Sequence, residues 1–161
     1  MRTATFATFA TFATFATLAT TGNGTKMFDA KIAIVVRDDL LTWQKLNVTA
    51  FLTSGVLGAD AELLGENYED ATGQLYRPLI IQPMIVLAAD GEGLKKIHRR
   101  GIDRGASMAI YIEDMFSTGH DAANRAAVKQ YATDELALVG LALRDDKKVV
   151  DKITKGAKMH P

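Results

Sequence analysis

The sequence predicts an α/β fold: a three-layer sandwich in which a four-stranded, mostly parallel or mixed sheet lies between helices on both faces. Short apolar runs rich in β-branched residues alternate along the chain with longer segments of helical spacing, which is typical of strands joined by helical crossovers. Two of these runs end in acidic residues, at 38–39 and at 113–114. In open α/β sheets, ligands bind at such carboxyl ends of strands.

The first strand and helix, within residues 31–58, are expected to form the core of the domain. Residues 32–36 are an apolar run without Gly or Pro, which is typical of a strand buried on both faces. From 42 to 54 the only charged residue is Lys45, and this segment has the length of a helix for which Gly55 is a reasonable stop. A helix so poor in charge is expected to be largely buried.

The remaining elements follow in chain order. Residues 68–76 predict a hairpin or ordered loop, and Pro83 must lie at the beginning or edge of the next strand because it cannot donate to a sheet ladder. After a turn at 91–93, the spacing of three apolar residues in a basic segment predicts an amphipathic helix. These are Leu94, Ile97 and Ile102. The later elements are a strand at 108–112, a helix capped by Asp121 and running to about 131, a strand at 136–143, and a helix capped by Asp145 and running through Ile153, with Val149 and Ile153 inside.

Composition excludes several classes of protein. The chain has 161 residues, a formal net charge of zero and no cysteine. The absence of cysteine excludes disulfides, thiol catalysis and cysteine-bound zinc, and agrees with the expected cytoplasmic location. A basic segment with lysine or arginine at 95, 96, 99, 100 and 104 could meet an RNA backbone, but no aromatic residues interleave it to stack bases. A nucleic-acid partner is therefore not expected, although it is left open.

Residues 1–26 are expected to be a low-complexity tail, so that residues 27–161 form the single domain. A Thr-Phe-Ala triplet repeats from residue 5 to residue 16, and a period of three fits neither an amphipathic helix nor a strand. The threonines also weaken the apolar centre that a signal peptide or a membrane span requires. The sequence therefore predicts a disordered or artefactual tail and no membrane partner, with targeting or membrane contact by this tail as the alternative.

The sequence resembles type II peptidyl-tRNA hydrolases at both ends of residues 31–158. Residues 35–40, Val-Val-Arg-Asp-Asp-Leu, are similar to the V-V-R-x-D-L opening of that family, and Lys45 lies near the place of its glycine-lysine pair. Residues 138–143 and 150–155 resemble its final strand and helix. The chain is more similar still to an uncharacterised bacterial family of small domains of unknown function that shares this fold. The resemblance implies a four-stranded mixed sheet between helices.

Two departures from the hydrolase pattern bear on activity. The hydrolases carry a Gln and a His on the first helix where this chain has Thr49 and Leu52. Their Asp-Ala-Gly-Arg-Thr loop corresponds here to residues 114–118, in which Asp114 and Thr118 keep the matching spacing while the middle differs. The resemblance therefore implies the fold, whereas cleavage of peptidyl-tRNA is predicted to be absent or very weak.

The candidate site lies where the charged strand ends meet the loop after residue 114. Carboxylates, a lysine and a histidine in one place could position a water and stabilise a developing anion. The alternative is that these charges only end buried strands and pair with one another. The candidate catalytic residues are Lys45, Asp114, Thr118 and His120, and the candidate ligand-binding residues are Arg37, Asp39, Lys45, Gly119, Asn124 and Arg125.

Two of these candidates carry a specific argument. Lys45 lies in the first turn of a helix, where the helix dipole disfavours a cation, so it suggests an anionic ligand or a paired aspartate. His120 could be a general base, but no second histidine stands at metal-ligand spacing, so neither a metal nor another cofactor is expected. As the alternative, Lys45 is a solvated surface residue and His120 a surface turn residue.

Two functions compete. The first hypothesis is a non-catalytic binding module, with a small polar pocket at the strand ends that holds a small anionic ligand or a protein partner. The alternative is a hydrolase that cleaves aminoacyl or peptidyl esters with a water positioned by Asp114, Thr118 and Lys45. Whether the chain is an enzyme, and whether it forms a homodimer, are both left open by the sequence.

Overall fold

The computed structural model describes residues 29–161; the predicted tail at 1–26 lies outside them. Strands and helices alternate along the chain, as the apolar pattern predicts. The described residues form seven strands, four helices and two 3-10 turns, Ala61–Leu63 and Glu113–Ser117. In order they are β1 Ala30–Arg37, α1 Thr42–Ala59, β2 Tyr68–Glu69, β3 Leu75–Tyr76, β4 Met84–Ala89, α2 Gly91–Asp103, β5 Met108–Ile112, α3 Asp121–Val128, β6 Leu138–Asp146, α4 Lys147–Ile153 and β7 Lys158–Met159.

The main sheet has five strands in the order β5-β6-β1-β4-β7. β1 is parallel to β4 and antiparallel to β6, which is in turn antiparallel to β5. The carboxyl ends of β1, β4 and β5 therefore lie at one edge of the sheet. The α/β class and the mixed sheet are confirmed, but the count of four strands is wrong. The fifth strand, β7, pairs only two residues with β4 and has no apolar run to reveal it.

β1 is the centre of the molecule, as expected. Its residues from Ile32 to Val36 are 0–1% exposed, and their side chains alternate between two apolar clusters. Ala33 and Val35 join the cluster under α2 and α4, whereas Ile32, Ile34 and Val36 join the one under α1. A strand covered on both faces must be apolar at every position.

α1 lies close to the sheet along one stripe only. Val48, Leu52 and Val56 are buried at helical spacing, and Gly140 of β6 lies beneath them. A Cβ at residue 140 would be 2.5 Å from a methyl of Val48 and 3.2 Å from the Val35 carbonyl oxygen. The missing side chain therefore sets how closely the helix approaches the sheet.

The expectation that α1 is largely buried is wrong. Trp43, Leu46 and Phe51, on the sides of the helix away from its buried stripe, are 57%, 68% and 52% exposed. The predicted stop at Gly55 is also wrong, because the helix runs on to Ala59. A Cβ at residue 55 would lie 2.7 Å from the Cβ of Ala109, so this glycine permits close packing of α1 on β5.

Other helix boundaries differ from the prediction because the caps are different residues. Residues 91–93 are the first turn of α2, capped by Asp90, whose carboxylate accepts the Gly93 N–H at 2.6 Å. His120 caps α3, which ends at Val128 rather than near 131, and Asp146 caps α4. β6 begins at Leu138, not at residue 136.

Two predicted inner faces also need correction. In α2, Ile102 is 46% exposed, and the buried positions are Leu94, Ile97, His98 and Gly101. In α4, Val150 and Ile153 are buried, whereas Val149 is only partly buried. One inner residue is therefore wrong in each helix, whereas Leu94, Ile97 and Ile153 are buried as predicted.

The hairpin of β2 and β3 is confirmed, and it is organised by one side chain. The carboxylate of Asp70 accepts hydrogen bonds from the Thr72 hydroxyl at 2.7 Å, from two backbone N–H groups and from the Tyr76 hydroxyl. These bonds, the one from Thr72 foremost, hold the pKa of Asp70 well below its usual value. The hairpin itself is exposed throughout.

Within residues 29–161, no helix combines the length and the apolar character needed to span a bilayer.

Candidate functional site

The charged ends of β1 and β5 meet, but they pair with each other. The Arg37 guanidinium donates to Asp39 at 2.6 Å and to Glu113 at 3.1 Å. Burial opposes the charge on Arg37, but the hydrogen bonds to Glu113 and Asp39 outweigh this effect and raise its pKa. Arg37 and Asp39 therefore form an ion-pair cluster with Glu113, which is the alternative that the sequence had left open.

Lys45 lies apart from the loop that follows β5. It belongs to the same stripe of α1 as Val48 and Leu52, and it is half-buried. Its side chain makes no hydrogen bond or ion pair among residues 29–161, and its carbonyl accepts the Thr49 hydroxyl at 2.8 Å. The residues that line the cavity near Thr118 include the opposite flank of α1, with Trp43 and Asn47, and not Lys45.

Asp114 also lies outside this cavity. Its carboxylate accepts the Tyr131 hydroxyl at 3.3 Å, and the charge of Asp114 raises the pKa of Tyr131. Of Asp114, Thr118 and Lys45, only Thr118 therefore lines this cavity.

The remaining candidates lie together in a groove between α1, β5 and α3. Two adjoining cavities of about 540 and 550 Å³ share Phe51, Tyr111, Met115, Asp121 and Asn124, and each volume suits a small molecule. The predicted residues on its wall are Thr118, Gly119, His120, Asn124 and Arg125.

Local structure decides which side chains of β5 and α1 line this groove. Tyr111 projects onto the α1 face of the sheet, and the pairing of β5 with β6 shifts register between Tyr111 and Ile112. Such bulges often lie beside functional sites, where they redirect the chain. The 3-10 turn that follows then returns Phe116 to the α1 face. On α1, Trp43, Asn47 and Phe51 repeat every four residues and thus lie on one flank.

Four aromatic side chains form the wall of the groove. The ring centroids of Tyr111 and Phe116 are 5.2 Å apart, those of Trp43 and Phe116 5.6 Å, and those of Phe51 and Tyr111 5.8 Å. Two of the pairs are edge-to-face, a preferred arrangement of aromatic rings. Because Trp43 and Phe51 are more than half exposed, the cluster presents ring surface to the groove.

The polar groups of the groove are mainly neutral. The Tyr111 hydroxyl donates to the side-chain oxygen of Asn47 at 3.1 Å, and burial raises the pKa of Tyr111. The Thr118 hydroxyl lies 2.9 Å from the Met115 carbonyl oxygen and also contacts the side-chain amide of Asn124. The amides of Asn47 and Asn124 have more donor and acceptor positions than these bonds use.

His120 is held by the helix that it caps. Its Nδ1 accepts the backbone N–H of Ala123 at 3.2 Å, so a neutral ring carries its proton on Nε2. Nε2 is then a hydrogen-bond donor to the groove, not a base. In the neutral ring, His120 can therefore donate a hydrogen bond through Nε2 but cannot accept one there.

One end of the groove is cationic. Arg125 and Lys129 line the cavity that reaches past Ile110. Arg125 pairs with Asp121 at 2.5 Å, and both side chains are more than two-thirds exposed. An exposed pair of this kind contributes little to stability, so the guanidinium can turn to a ligand at small cost.

Residues 29–161 contain no cluster of three or more His, Asp or Glu side chains placed to hold a metal ion. The sequence-based prediction did not include Asn47 or the aromatic residues of the site, which are Trp43, Phe51, Tyr111 and Phe116. The spacing of the three α1 residues was the available signal, because it marks a second flank beside the buried stripe.

This chain matches one protein family and is similar to a solved structure. The model of a family described as "Protein of unknown function (DUF2000)" matches residues 30–161. The chain is similar to the solved structure of Atu0240, a protein of unknown function from Agrobacterium tumefaciens strain C58, with a TM-score of 0.82 and 55% identity over 83% of this chain and 99% of that one. A search of curated proteins found no match. These findings agree with the expected likeness to small domains of unknown function. The likeness to peptidyl-tRNA hydrolases stays a prediction.

Proposed function

We propose the function of this chain, which belongs to the DUF2000 family, from the geometry of its groove. The family is described as a protein of unknown function and therefore suggests no activity. The chain is a non-catalytic binding module for a small planar molecule with an anionic end. The planar body lies against the rings of Trp43, Phe51, Tyr111 and Phe116, and the anion lies near Arg125 and Lys129.

The observation that carries this proposal is the combination of exposed rings and unused hydrogen-bonding groups in one groove. Aromatic surface gains free energy when a ligand removes it from water, at about 25 cal/mol per Å². The amides of Asn47 and Asn124 supply orientation, as do the few polar groups of most ligand sites. Arg125 supplies the attraction for an anion that the sequence analysis had placed at Lys45.

Catalysis is less well supported than binding. A hydrolase needs a base within hydrogen-bond reach of its nucleophile or water. The Nδ1 atom of His120 is occupied by its helix, and Asp114 accepts from Tyr131 outside the groove. We therefore expect the purified chain to release no more peptide from peptidyl-tRNA than a His120→Gln variant does. Faster release by the parent would revive the hydrolase hypothesis.

The binding proposal is tested with a planar anion and its uncharged counterpart. 2-Naphthoate and 2-naphthol have the same ring body, and their binding to the full chain can be followed by residue-specific NMR shifts. We expect 2-naphthoate to saturate shifts at Tyr111, Gly119 and Asn124 and to bind more tightly than 2-naphthol. Shifts that do not saturate, or that lie elsewhere, would refute the proposed site.

Two matched variants separate the groove from the site predicted by sequence. Arg125→Gln and Lys45→Gln each remove one cation from a helix. We expect Arg125→Gln to weaken 2-naphthoate by about tenfold, because charge-assisted hydrogen bonds are roughly twice as strong as neutral ones, and Lys45→Gln to bind like the parent. If Lys45→Gln weakened binding and Arg125→Gln did not, the anion would bind at Lys45, as the sequence predicts.

A further inference from the structure

A second cavity lies on the other face of the sheet, beneath α2. Its volume is about 350 Å³, and it lies between α2 and the segment that leads into β6. Leu136 and Leu138, both buried, give it an apolar floor. The polar residues on its lining are Lys95, Lys96, His98, Arg99, Thr133 and Asp134.

His98 is an unusual residue at the base of this cavity. Its side chain is on the buried face of α2 and only 7% exposed, yet it makes no hydrogen bond to any residue in 29–161. Arg100 Nε is the one fully buried side-chain nitrogen or oxygen without a partner among those residues. The nitrogens of His98 must therefore keep a small solvent contact, and His98 lines this cavity.

The ring nitrogens of His98 keep only a small solvent contact and have no hydrogen-bond partner among residues 29–161, so hydration lost on folding is not replaced there and costs free energy. An apolar residue of similar shape at residue 98 would pack between Leu94 and Ile97 without that cost. The imidazole thus provides an unused hydrogen-bonding group at the floor of a cavity whose rim is cationic.

The charge at the rim is modest. The Lys95 ammonium is 3.7 Å from Glu92, and the Arg99 guanidinium is 3.1 Å from Asp103. Both pairs are more than half exposed and so are weak. Asp134 also lines the cavity and would repel a doubly charged group, so the balance of charge favours a monoanion.

We propose that this cavity is a second binding site, separate from the groove, for a small organic carboxylate. The carboxylate lies among Lys95, Lys96 and Arg99 and accepts a hydrogen bond from the His98 ring. Its apolar body covers Leu136 and Leu138. This site does not depend on the function proposed for the groove, because the sheet separates the two.

The test uses benzoate as the probe and benzyl alcohol as its uncharged counterpart. The full chain is titrated while NMR follows the His98 ring protons and the backbone amides of Leu136 and Leu138. We expect saturable shifts with benzoate and about tenfold weaker binding of benzyl alcohol, since charge-assisted hydrogen bonds are roughly twice as strong as neutral ones. Equal binding of the two probes, or benzoate shifts only at groove residues such as Tyr111, would overturn the proposal.

The same spectra give a second readout at His98. If a carboxylate lies against the imidazole, benzoate must raise the His98 pKa, since binding and protonation favour each other reciprocally. Benzyl alcohol should leave that pKa unchanged. A His98 titration that is identical with and without saturating benzoate would contradict contact between the two groups.

Matched double variants exclude a general effect of net charge. Lys95→Met with Arg99→Met removes two cations at the rim, whereas Lys147→Met with Lys148→Met removes two exposed cations from α4. We expect the rim variant to bind benzoate at least about tenfold more weakly and the α4 variant to bind as the parent does. Equal losses in the two variants would show attraction by overall charge alone and refute a built site.

Discussion

The ion-pair cluster of Arg37, Asp39 and Glu113 and the groove beside Tyr111 lie at the same edge of the sheet, yet they use their polar groups in opposite ways. In the cluster, one guanidinium satisfies two carboxylates. In the groove, neutral amides, hydroxyls and exposed rings retain capacity for further contacts. Charged residues at the end of a strand therefore indicate where the sheet ends. Groups with unused hydrogen-bonding capacity beside exposed aromatic rings are the better indication of a ligand site.

The largest expected effect comes from separating α1 from the sheet, on which the groove depends. Gly140→Ala places a methyl 2.5 Å from Val48 and 2.9 Å from Leu52, so α1 must move outward. We expect a loss of about 1–3 kcal/mol in the free energy of unfolding, which is usual for overpacking, together with weaker 2-naphthoate binding. Urea denaturation and the NMR titration measure the two effects.

Gly58→Ala is the matched control for that variant. Residue 58 lies in the same helix, and a Cβ there meets nothing within 4 Å. Alanine is the better helix former by about 0.5–1 kcal/mol, so this variant should be slightly more stable and bind normally. If Gly140→Ala were as stable as Gly58→Ala, close approach of α1 to β6 would not be what the glycine provides.

The next largest effect is expected from a variant that removes a polar contact of the groove but keeps its aromatic rings. Tyr111→Phe keeps the ring against Phe51 and Phe116 but removes the hydroxyl that donates to Asn47 at 3.1 Å. We expect a loss of about 1 kcal/mol in the free energy of unfolding, the usual net value of a hydrogen bond, and a change in 2-naphthoate affinity. A variant unchanged in both measurements would remove Tyr111–Asn47 from the site.

A smaller effect is expected where the charges pair with each other. Arg37→Met removes both ion pairs, but the carboxylates of Asp39 and Glu113 are 66% and 58% exposed and can be hydrated instead. We expect a loss below about 1 kcal/mol in unfolding free energy and no change in 2-naphthoate binding. A large loss of 2-naphthoate binding would mean that Arg37 contributes to the binding site. The ion-pair cluster and the groove would then not be functionally distinct.

The fold was largely predictable because buried positions are occupied by apolar residues, and their spacing can be seen in the sequence. The apolar run of β1 predicts a central strand because both of its faces are covered, and the turn residues around Asp70 predict the hairpin. Glycine was the ambiguous signal. Gly55 has the position of a helix stop, but its role is contact with Ala109 of β5, and only the packed structure reveals that contact.

The candidate site was predictable only in its location. Thr118 and His120 in the loop and Asn124 in the helix after it are polar and follow a strand, so the sequence indicates them. Lys45 was favoured because a lone charge is conspicuous in an apolar helix, yet the face that a residue takes depends on which stripe packs on the sheet. Trp43 and Phe51 read as core residues, since apolar side chains on a helix are usually buried.

The smallest predicted effect concerns His98, a mostly buried residue whose ring has no hydrogen-bond partner among residues 29–161. Burial lowers the pKa of His98 below its usual value of 6.5, so the unfolded chain binds a proton at a higher pH than the folded chain does. The free energy of unfolding must then fall as pH drops below about 6.5, until the folded His98 is protonated as well.

His98→Phe removes this contribution while filling the same space. Urea denaturation of parent and variant at several pH values should therefore give a stability difference that moves in the variant's favour as the pH falls below about 6.5 and is constant above it. Burial is the cause of this shift; the charged neighbours on the cavity lining are Lys95, Lys96, Arg99 and Asp134, of which the cations oppose protonation of His98 and the carboxylate favours it. A stability difference that does not depend on pH would mean that His98 has found a partner, and its unused capacity would then be no argument for a site beneath α2.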